Sequence, residues 1–463
     1  MGSGMKILIV NNFYPPHYIG GYELRCSQVA EYLHRVGYEV RILTSSYRLP
    51  TDGNAATPSR NETIDGVPVE RSLHYRPLDP PPRRLYTLAV AKRQLQDVRR
   101  FIQILDEFQP DIVNWWNIEG LTKAILPIPA ARHIPDVCWV EDSSLFLEYG
   151  LCGENEHTFW FPFWQGNWGP SFLRPLLRWA LAPWERRIQR EGIPTRPFAN
   201  RPRHVCFVSE FLRFDYAQGG LVFPSSEVIY GGVFPEEFYA QRTISDFLNR
   251  PLRFLYAGYI NPDRGLHTII EALGLLPLDL RERVQLSIAH SGPPKPAKYI
   301  EEIKSRIEQL GLSSTVRFLG RVQHQDMPEV FRDHHALIFA STRKEGLPLT
   351  MMEAMCAGCA VITTGSGGAI ELADVADLPI FPKEHPVALS RLLAKLVRDP
   401  ERVFQIGKRG QEVVLNRFTF GRMIEGFCNT LRILCEREGR QPKPDARPAV
   451  EDSPEEYAGS ASG

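Results

Sequence analysis

The 463-residue sequence lacks three features that would place the protein in a specialised class. Lysine plus arginine (54) equals aspartate plus glutamate (54), so no overall field attracts nucleic acid or a strongly acidic partner. No stretch approaches the roughly 18 apolar residues of a membrane span, and the run at 7–10 is too short for a secretory signal. We therefore expect no nucleic-acid partner, only local basic sites, and a cytoplasmic location.

Two short motifs of cofactor and metal chemistry are also missing. No G-x-G-x-x-G follows a predicted strand, which argues against an NAD-dependent dehydrogenase. No D-x-D tripeptide occurs, so the usual carboxylate pair for a catalytic divalent cation is absent. The sequence predicts chemistry that needs no cofactor and no divalent metal.

The eight cysteines show no pattern of a disulfide framework. Most of them lie inside apolar segments, as buried thiols do in a reducing compartment. Cys356 and Cys359 have the C-x-x-C spacing of metal or redox sites, but no second pair accompanies them. We expect free, buried thiols, with a metal at this pair as the alternative.

Short apolar runs alternate with helical patterns along most of the chain. The first cycle is a strand at 7–10, a helical pattern over 22–36 and a strand at 39–44, and a second series begins with a strand at 252–257. This alternation predicts parallel sheets covered on both faces, an α/β fold with two doubly wound domains. The first domain is expected over 5–236 and the second over 250–416.

The segment between the two domains and the last segment of the chain differ in composition from the domains themselves. Polar residues without an apolar period fill 235–251, where we place the domain boundary. The last segment, 437–463, is rich in proline, charge and small residues, which predicts a disordered tail.

An aromatic and basic segment interrupts the first domain at about 150–190. Five of the eight tryptophans lie within 25 residues there, and prolines and glycines in its first half predict a loop before a basic amphipathic helix. One interpretation is a lid whose rings fill a local core. The other is an acceptor platform that includes Trp164 and Trp168, or a weak contact of 159–187 with a membrane surface.

Two carboxylates and two glycine turns surround one predicted helix at 349–357. Pro348 suits its first turn and Gly358 suits the position just after its end. Backbone N–H groups at the helix start suit a diphosphate, with Glu345 in the loop before them and Glu353 inside the helix. Carboxylates accept hydrogen bonds from sugar and ribose hydroxyls. Solvated acids on an ordinary helix are the alternative, but the glycines and neighbouring segments favour a sugar-nucleotide site.

With these motifs in order, the chain resembles the family-4 glycosyltransferases of the GT-B fold over residues 5–436. That resemblance implies two Rossmann-like domains that face each other across a cleft, with a C-terminal helix over 417–436 that crosses back to the first domain. It implies a retaining enzyme that moves a sugar from a nucleoside diphosphate sugar to a hydroxyl acceptor, which is a glycan, a lipid-linked sugar or a small aglycone. The donor is expected in the second domain and the acceptor in the first.

On the donor side, Glu345 and Glu353 match the family's Glu-x7-Glu motif, whose acids lie near the donor sugar and the ribose. Arg264 takes the place of the lysine in the family's Gly-Arg-x4-Lys-Gly element, whereas Tyr259 stands where an arginine is usual and brings no charge. The resemblance implies these donor-binding residues: Gly20, Gly21, Gly258, Tyr259, Arg264, Gly292, Arg321, Val322, Glu345, Gly346, Leu347, Pro348, Leu349 and Glu353.

The acceptor side departs from the family pattern. Glu141 replaces the histidine of a histidine-aspartate pair, and it would take up the acceptor proton if burial raised its pKa. The resemblance therefore implies Glu345, Arg264 and Glu141 as catalytic residues. The implied acceptor contacts are His17, Tyr18, Asn114, Trp115, Asp142, Trp164 and Trp168.

Two other functions stay open from these residues. The departures at Tyr259 and Glu141 are compatible with a sugar-nucleotide-binding protein whose catalysis is impaired. A nucleotide-sugar epimerase or a glycosyl phosphorylase would use the same fold. The order of the motifs favours transfer.

Overall fold

The computed structural model describes residues 4–47, 59–75, 88–142, 171–193, 202–248, 251–290 and 297–439. These residues form two compact units, each with its own sheet. The chain passes from the first unit to the second at Val228–Ile229 and returns at Glu425–Gly426, while Val208–Leu212 also belongs to the second. The change at Val228 precedes the expected boundary at 235–251. The expected tail lies outside the described residues from 440 onward.

The first unit is built on one sheet whose strand order is β3-β4-β2-β1-β5-β6-β7-β8. Every pair is parallel except β3 with β4, which form a hairpin that the alternating pattern did not predict. Every residue of β5, β6 and β7 is buried, as expected for a sheet covered on both faces. The described strands are β1 Lys6–Val10, β2 Glu39–Ser45, β3 Asn61–Ile64, β4 Val67–Leu73, β5 Ile112–Trp115, β6 Asp136–Val140, β7 His204–Phe207 and β8 Ser225–Val228.

Amphipathic helices connect these strands. In the first helix, α1, the buried residues Cys26, Val29, Ala30 and Leu33 recur every three or four positions and so form one apolar face. The described helices that begin before Val228 are α1 Gly21–Arg35, α2 Leu88–Phe108, α3 Pro127–Ala131, α4 Arg174–Arg190 and α5 Glu210–Gln218. No helix in the described ranges has the length and apolarity that a membrane span requires.

The second unit has a parallel sheet in the order β11-β10-β9-β12-β13. Its strands are β9 Leu252–Gly258, β10 Val284–His290, β11 Val316–Arg321, β12 Ala336–Phe339 and β13 Ala360–Thr363. Successive strands are added on one side of β9 and then on the other, so the order reverses between β9 and β12. In open α/β sheets such a switch point is where ligands bind.

Helices surround this second sheet and end the described chain. They are α6 Pro235–Phe238, α7 Leu266–Gly274, α8 Leu278–Arg281, α9 Ala297–Gln309, α10 Met327–Arg332, α11 Leu349–Cys356, α12 Ala369–Ala376, α13 Pro386–Arg398, α14 Pro400–Arg417 and α15 Phe420–Arg437. Helix α15 starts in the second unit and belongs to the first unit from Gly426 onward. There Phe427 packs edge-on against Trp139, with ring centroids 5.3 Å apart. This is the helix that the resemblance predicted over 417–436.

Candidate active site

Two donor-side candidates lie at the switch point of the second unit. The loop after β9 carries Arg264, and the loop after β12 carries Glu345 before α11 begins at Leu349. Gly358 follows the helix with φ 72°, a left-handed conformation that suits glycine. The helix predicted over 349–357 is therefore confirmed to within one residue. The backbone N–H groups of its first turn have no acceptor within the helix, an arrangement that suits an anion.

Glu345 and Arg264 form an ion pair. Glu345 Oε1 accepts hydrogen bonds from Arg264 Nη1 and Ser341 Oγ, each at 2.6 Å. The side chains of Arg264 and Glu345 are only 21% and 14% exposed, so water screens the pair incompletely. Two predicted catalytic residues thus touch each other, and Ser341 is a third member that the sequence did not single out.

Glycines allow neighbouring backbones to approach this pair. A Cβ on Gly368 would lie 1.8 Å from the carbonyl oxygen of Gly346, and the N–H of Gly368 donates to Glu345 O at 2.8 Å. A Cβ on Gly265, whose φ is 71°, would lie 2.1 Å from the carbonyl oxygen of Ala340. Only glycine fits at these contacts. The positions of Glu345 and Arg264 are therefore set by backbone packing as well as by their own hydrogen bonds.

Four buried polar atoms near this pair have no hydrogen-bond partner among the described residues. Asn261 Oδ1, Asp263 Oδ1 and Arg264 Nε belong to the loop after β9, and Ser366 Oγ belongs to the loop after β13. Buried polar atoms normally find a partner in the protein or in bound water. Their concentration in two loops next to Glu345 points to a polar ligand here.

Glu353 lies in the second turn of α11 and is 7% exposed. Its Oε1 is 3.1 Å from His324 Nε2. His324 follows the predicted residues Arg321 and Val322, and the N–H of Val322 bonds to His290 O at 3.1 Å. The sequence analysis singled out these neighbours of His324 but missed the histidine itself.

The remaining donor-side candidates have less specific surroundings. Gly258 has φ 151°, and the carbonyl oxygen of Tyr259 accepts a hydrogen bond from Tyr256 at 2.5 Å. Gly346 O accepts from Ser209 Oγ at 2.7 Å, which further fixes the loop of Glu345. Leu347 is buried. The candidate Gly292 lies outside the described residues.

In the first unit, Glu141 lies at the carboxyl end of β6. Its Oε1 accepts a hydrogen bond from Trp139 Nε1 at 2.9 Å. Burial raises the pKa of Glu141 to about 7, against the lowering effect of Arg25 and of the Trp139 bond, and with a smaller rise from Asp142 and Glu23. A raised pKa was the premise on which the sequence analysis considered Glu141 as a proton acceptor, and that role stays a prediction.

The glycine pair at the start of α1 is held by a buried acid. Glu23 Oε2 accepts the N–H of Gly20 at 2.9 Å, and Glu23 Oε1 accepts Asn117 Nδ2 at 3.3 Å. Burial raises the pKa of Glu23 above its ordinary value. The amide of Gly20 is thus already engaged within the chain, so it does not match the expected approach to a donor phosphate, whereas Gly21 opens the helix.

The acceptor candidates differ in exposure. Tyr18 is 36% exposed and Asp142 is half-buried, whereas His17 is buried. Asn114 and Trp115 are fully buried in β5, which gives them a packing role and corrects the expectation that they contact an acceptor. Trp115 Nε1 donates to Asp136 Oδ2 at 2.9 Å. The candidates Trp164 and Trp168 lie outside the described residues.

Comparison with models of known protein families gives a match in each of the two units. The family model "Glycosyltransferase Family 4" matches residues 19–237, and "Glycosyl transferases group 1" matches residues 240–413. The chain belongs to these glycosyltransferases. The two matches divide the chain between 237 and 240, close to the change of unit at Val228.

Relatives and solved structures agree with this assignment. The chain is 24% identical to the uncharacterized glycosyltransferase MJ1607 of Methanocaldococcus jannaschii over 94% of its own length and 100% of the relative's. It is 26% identical to the GDP-mannose-dependent alpha-(1-6)-phosphatidylinositol monomannoside mannosyltransferase of Mycobacterium tuberculosis, over 49% of this chain and 61% of the relative. The structure of Anabaena Alr3699/HepE in complex with UDP superposes with a TM-score of 0.63 at 18% identity, covering 93% of this chain and 100% of that one.

A second structure, sucrose-phosphate synthase (tll1590) from Thermosynechococcus elongatus, gives a TM-score of 0.64 at 16% identity and covers 94% of this chain and 100% of that one. These likenesses establish the GT-B fold. The chain is therefore a glycosyltransferase of the hexosyl type.

Proposed function

We propose that this glycosyltransferase transfers a sugar, with retention at the anomeric carbon, from a nucleoside diphosphate sugar to a hydroxyl acceptor. The observation that carries the proposal is the Arg264–Glu345–Ser341 cluster at the switch point, next to buried polar atoms that have no partner among the described residues. The donor binds to the second unit, and the acceptor binds to the first.

In the proposed reaction the acceptor oxygen bonds to the anomeric carbon while the bond from that carbon to the diphosphate breaks on the same face. The bonding electrons leave with the diphosphate, and the acceptor proton passes to a diphosphate oxygen. Arg264 and the start of α11 stabilise the charge that develops on the leaving group. Glu345 holds the guanidinium of Arg264 in place and accepts a hydroxyl of the donor sugar.

The family's Gly-Arg-x4-Lys-Gly element supplies two cations to the diphosphate, and in this chain the second cation comes from a different segment. Tyr259 brings no charge at the family's arginine position. Arg343 lies two residues before Glu345, and its half-exposed guanidinium is 3.5 Å from Asp263, beside Arg264. Arg343 supplies the missing positive charge in this proposal.

No divalent metal takes part in the proposed transfer, since protein cations neutralise the leaving diphosphate. Addition of EDTA is expected to change turnover by less than about twofold, whereas a metal-dependent transferase would lose nearly all activity. Turnover that EDTA abolishes and Mg²⁺ restores would contradict this part of the proposal.

The decisive experiment measures nucleoside diphosphate release from a panel of UDP-, GDP-, ADP- and dTDP-sugars. UDP- and GDP-sugars come first, because a structural neighbour was solved with UDP and a relative is named for GDP-mannose. Release that requires an added hydroxyl acceptor and that Glu345→Ala abolishes supports transfer. Product formed without an acceptor indicates an epimerase, and product formed only with inorganic phosphate indicates a phosphorylase.

The same proposal places the enzyme in the cytoplasm with weak peripheral contact to a membrane. Phe172, in the turn before α4, and Leu176 and Trp179, within α4, are 75%, 61% and 77% exposed, and exposed arginines come later in α4. Sedimentation with vesicles rich in anionic lipid tests this contact. Binding by the wild type that Trp179→Ser weakens supports it, and no binding at low salt contradicts it.

A further inference from the structure

We infer that His324 is a positioning residue for Glu353 and thereby for recognition of the nucleotide ribose. This inference rests on the proposed function and on the role that the family resemblance implies for Glu353, which is to accept hydrogen bonds from the ribose hydroxyls of the donor. It adds a residue and a mechanism to that site: the imidazole holds one oxygen of the carboxylate and fixes the direction of the group.

His324 reaches a buried acid from the protein surface. Its Nε2 lies 3.1 Å from Glu353 Oε1, and the side chains are 43% and 9% exposed respectively. The imidazole edge packs on Phe238, with ring centroids 5.8 Å apart and an interplanar angle of 69°. Phe238 is itself 1% exposed and therefore rigidly placed. The histidine ring is thus held by an apolar neighbour on one side and by the acid on the other.

The main-chain surroundings also fix His324. It begins a short 3-10 turn, His324–Asp326, directly before α10. Just upstream, Gly320 has φ 81° and the N–H of Val322 bonds to the end of β10. These constraints place the histidine at the carboxyl ends of the strands, where the switch point lies.

The two acids of the Glu-x7-Glu motif therefore have different partners. Glu345 pairs with Arg264, whose charge is permanent, and with Ser341. Glu353 pairs with an imidazole, which is a weaker and more compact donor. A carboxylate offers about four acceptor positions, so one bond from His324 leaves capacity for a vicinal pair of hydroxyls. Fixing the direction of the carboxylate is the contribution that this geometry assigns to His324.

A residue that acts in this way affects only those ligands that carry ribose hydroxyls. Calorimetry should compare the nucleoside diphosphate that the enzyme prefers with its 2′,3′-dideoxy analogue, for the wild type and His324→Ala. We expect His324→Ala to weaken binding of the ribose-containing ligand by about fivefold to twentyfold, and binding of the dideoxy analogue by less than about twofold. In kinetics, KM for the donor rises by a similar factor while kcat stays within about twofold.

Variants separate positioning from other roles. His324→Gln keeps a side-chain N–H donor and should restore most of the affinity, whereas Gln325→Ala, at an exposed neighbouring position, should leave it unchanged. In a Glu353→Gln background, His324→Ala should have less than about twofold further effect, because the two residues act as one unit.

Three outcomes would contradict a positioning role for His324. Equal losses for both ligands, or fully additive losses in the double variant, would overturn the inference and show that His324 contacts the base or the phosphates or is merely structural. His324→Ala that binds as the wild type does would overturn it as well. If the wild type binds no nucleoside diphosphate, the proposed function itself fails, and the inference falls with it.

Discussion

Glu345 in the second unit and Glu141 in the first are both carboxyls at the carboxyl ends of parallel sheets, yet their surroundings are opposite. Glu345 accepts bonds from a guanidinium and a hydroxyl. Glu141 accepts one bond from an uncharged indole, and burial raises its pKa to about 7. The first environment holds the guanidinium of Arg264 in a fixed place, whereas the second raises the pKa of the Glu141 carboxyl into the neutral range. The two glutamates therefore differ in their properties because their neighbouring groups differ, although the residue type is the same.

The largest expected effect comes from neutralising the acid that holds the cation. Glu345→Gln keeps the shape of the side chain but removes the charge that orients Arg264 and that, in the proposed function, accepts a hydroxyl of the donor sugar, so we expect kcat/KM to fall by about 10³-fold. Binding of the nucleoside diphosphate should survive, because α11 and Arg264 are still present. Glu308→Gln, at an exposed acid on α9, is the matched control. Activity within tenfold of the wild type would remove Glu345 from the catalytic machinery.

A smaller effect is expected when the cation itself is exchanged. Arg264→Lys retains the charge and introduces the family's usual residue, so kcat/KM should fall by no more than about tenfold, whereas Arg264→Met should lose about 10²-fold. Steady-state kinetics with the preferred donor measures both. If the methionine variant matches the wild type, Arg264 is only a surface residue at a helix start.

The pH dependence of kcat/KM tests the role of Glu141, the other carboxyl in this comparison. The carboxylate form of Glu141 grows as pH rises through its pKa of about 7, so kcat/KM should rise between about pH 6 and pH 8 if this form orients the acceptor hydroxyl. Glu141→Gln should flatten that rise and lower the value at pH 8 by about tenfold. An unchanged profile in the variant would assign the rise to another group and leave Glu141 without a catalytic role.

The smallest catalytic effect is expected at Trp115, which the structure places in the core. Trp115→Phe leaves the buried Asp136 without its indole donor, and we expect a loss of about 1–3 kcal/mol in the free energy of unfolding. Turnover should stay within about twofold, as chemical denaturation and kinetics on the same preparation can show. A large loss of activity without loss of stability would restore Trp115 as an acceptor contact.

The sequence predicted the parts of this protein that follow local rules. The alternation of apolar runs and helical patterns led to two parallel sheets, because each pattern depends only on neighbouring residues. Pro348 and Gly358 marked the ends of α11 for the same reason. The resemblance placed Arg264 and Glu345 in the same donor site, because motif order brings distant segments to the same edge of a sheet, but their ion pair was not predicted.

Other features depend on packing that no local pattern records. Trp115 was expected to contact the acceptor, but it is the last residue of β5 and its indole is buried in the core. His324 meets Glu353 through a contact between the segment after β11 and helix α11, which no local pattern records. Ser341 lies only four residues before Glu345 in the same loop, but a serine at this spacing has no distinctive pattern. The hairpin of β3 and β4 escaped prediction because β3 has only four residues, none of them buried, and β4 contains the charged pair Glu70 and Arg71, so neither shows a clear apolar alternation.

Helix α15 also determines the order in which the protein can be completed during synthesis. The strands of the first unit leave the ribosome first, but their unit includes Gly426 onward, where Thr430 donates to Glu227 at 2.7 Å and Phe427 covers Trp139. The second unit is meanwhile contained almost wholly in the intervening chain. The unit that emerges first is therefore finished last, and a nascent chain that stops before residue 426 carries an uncovered aromatic surface for chaperones to shield.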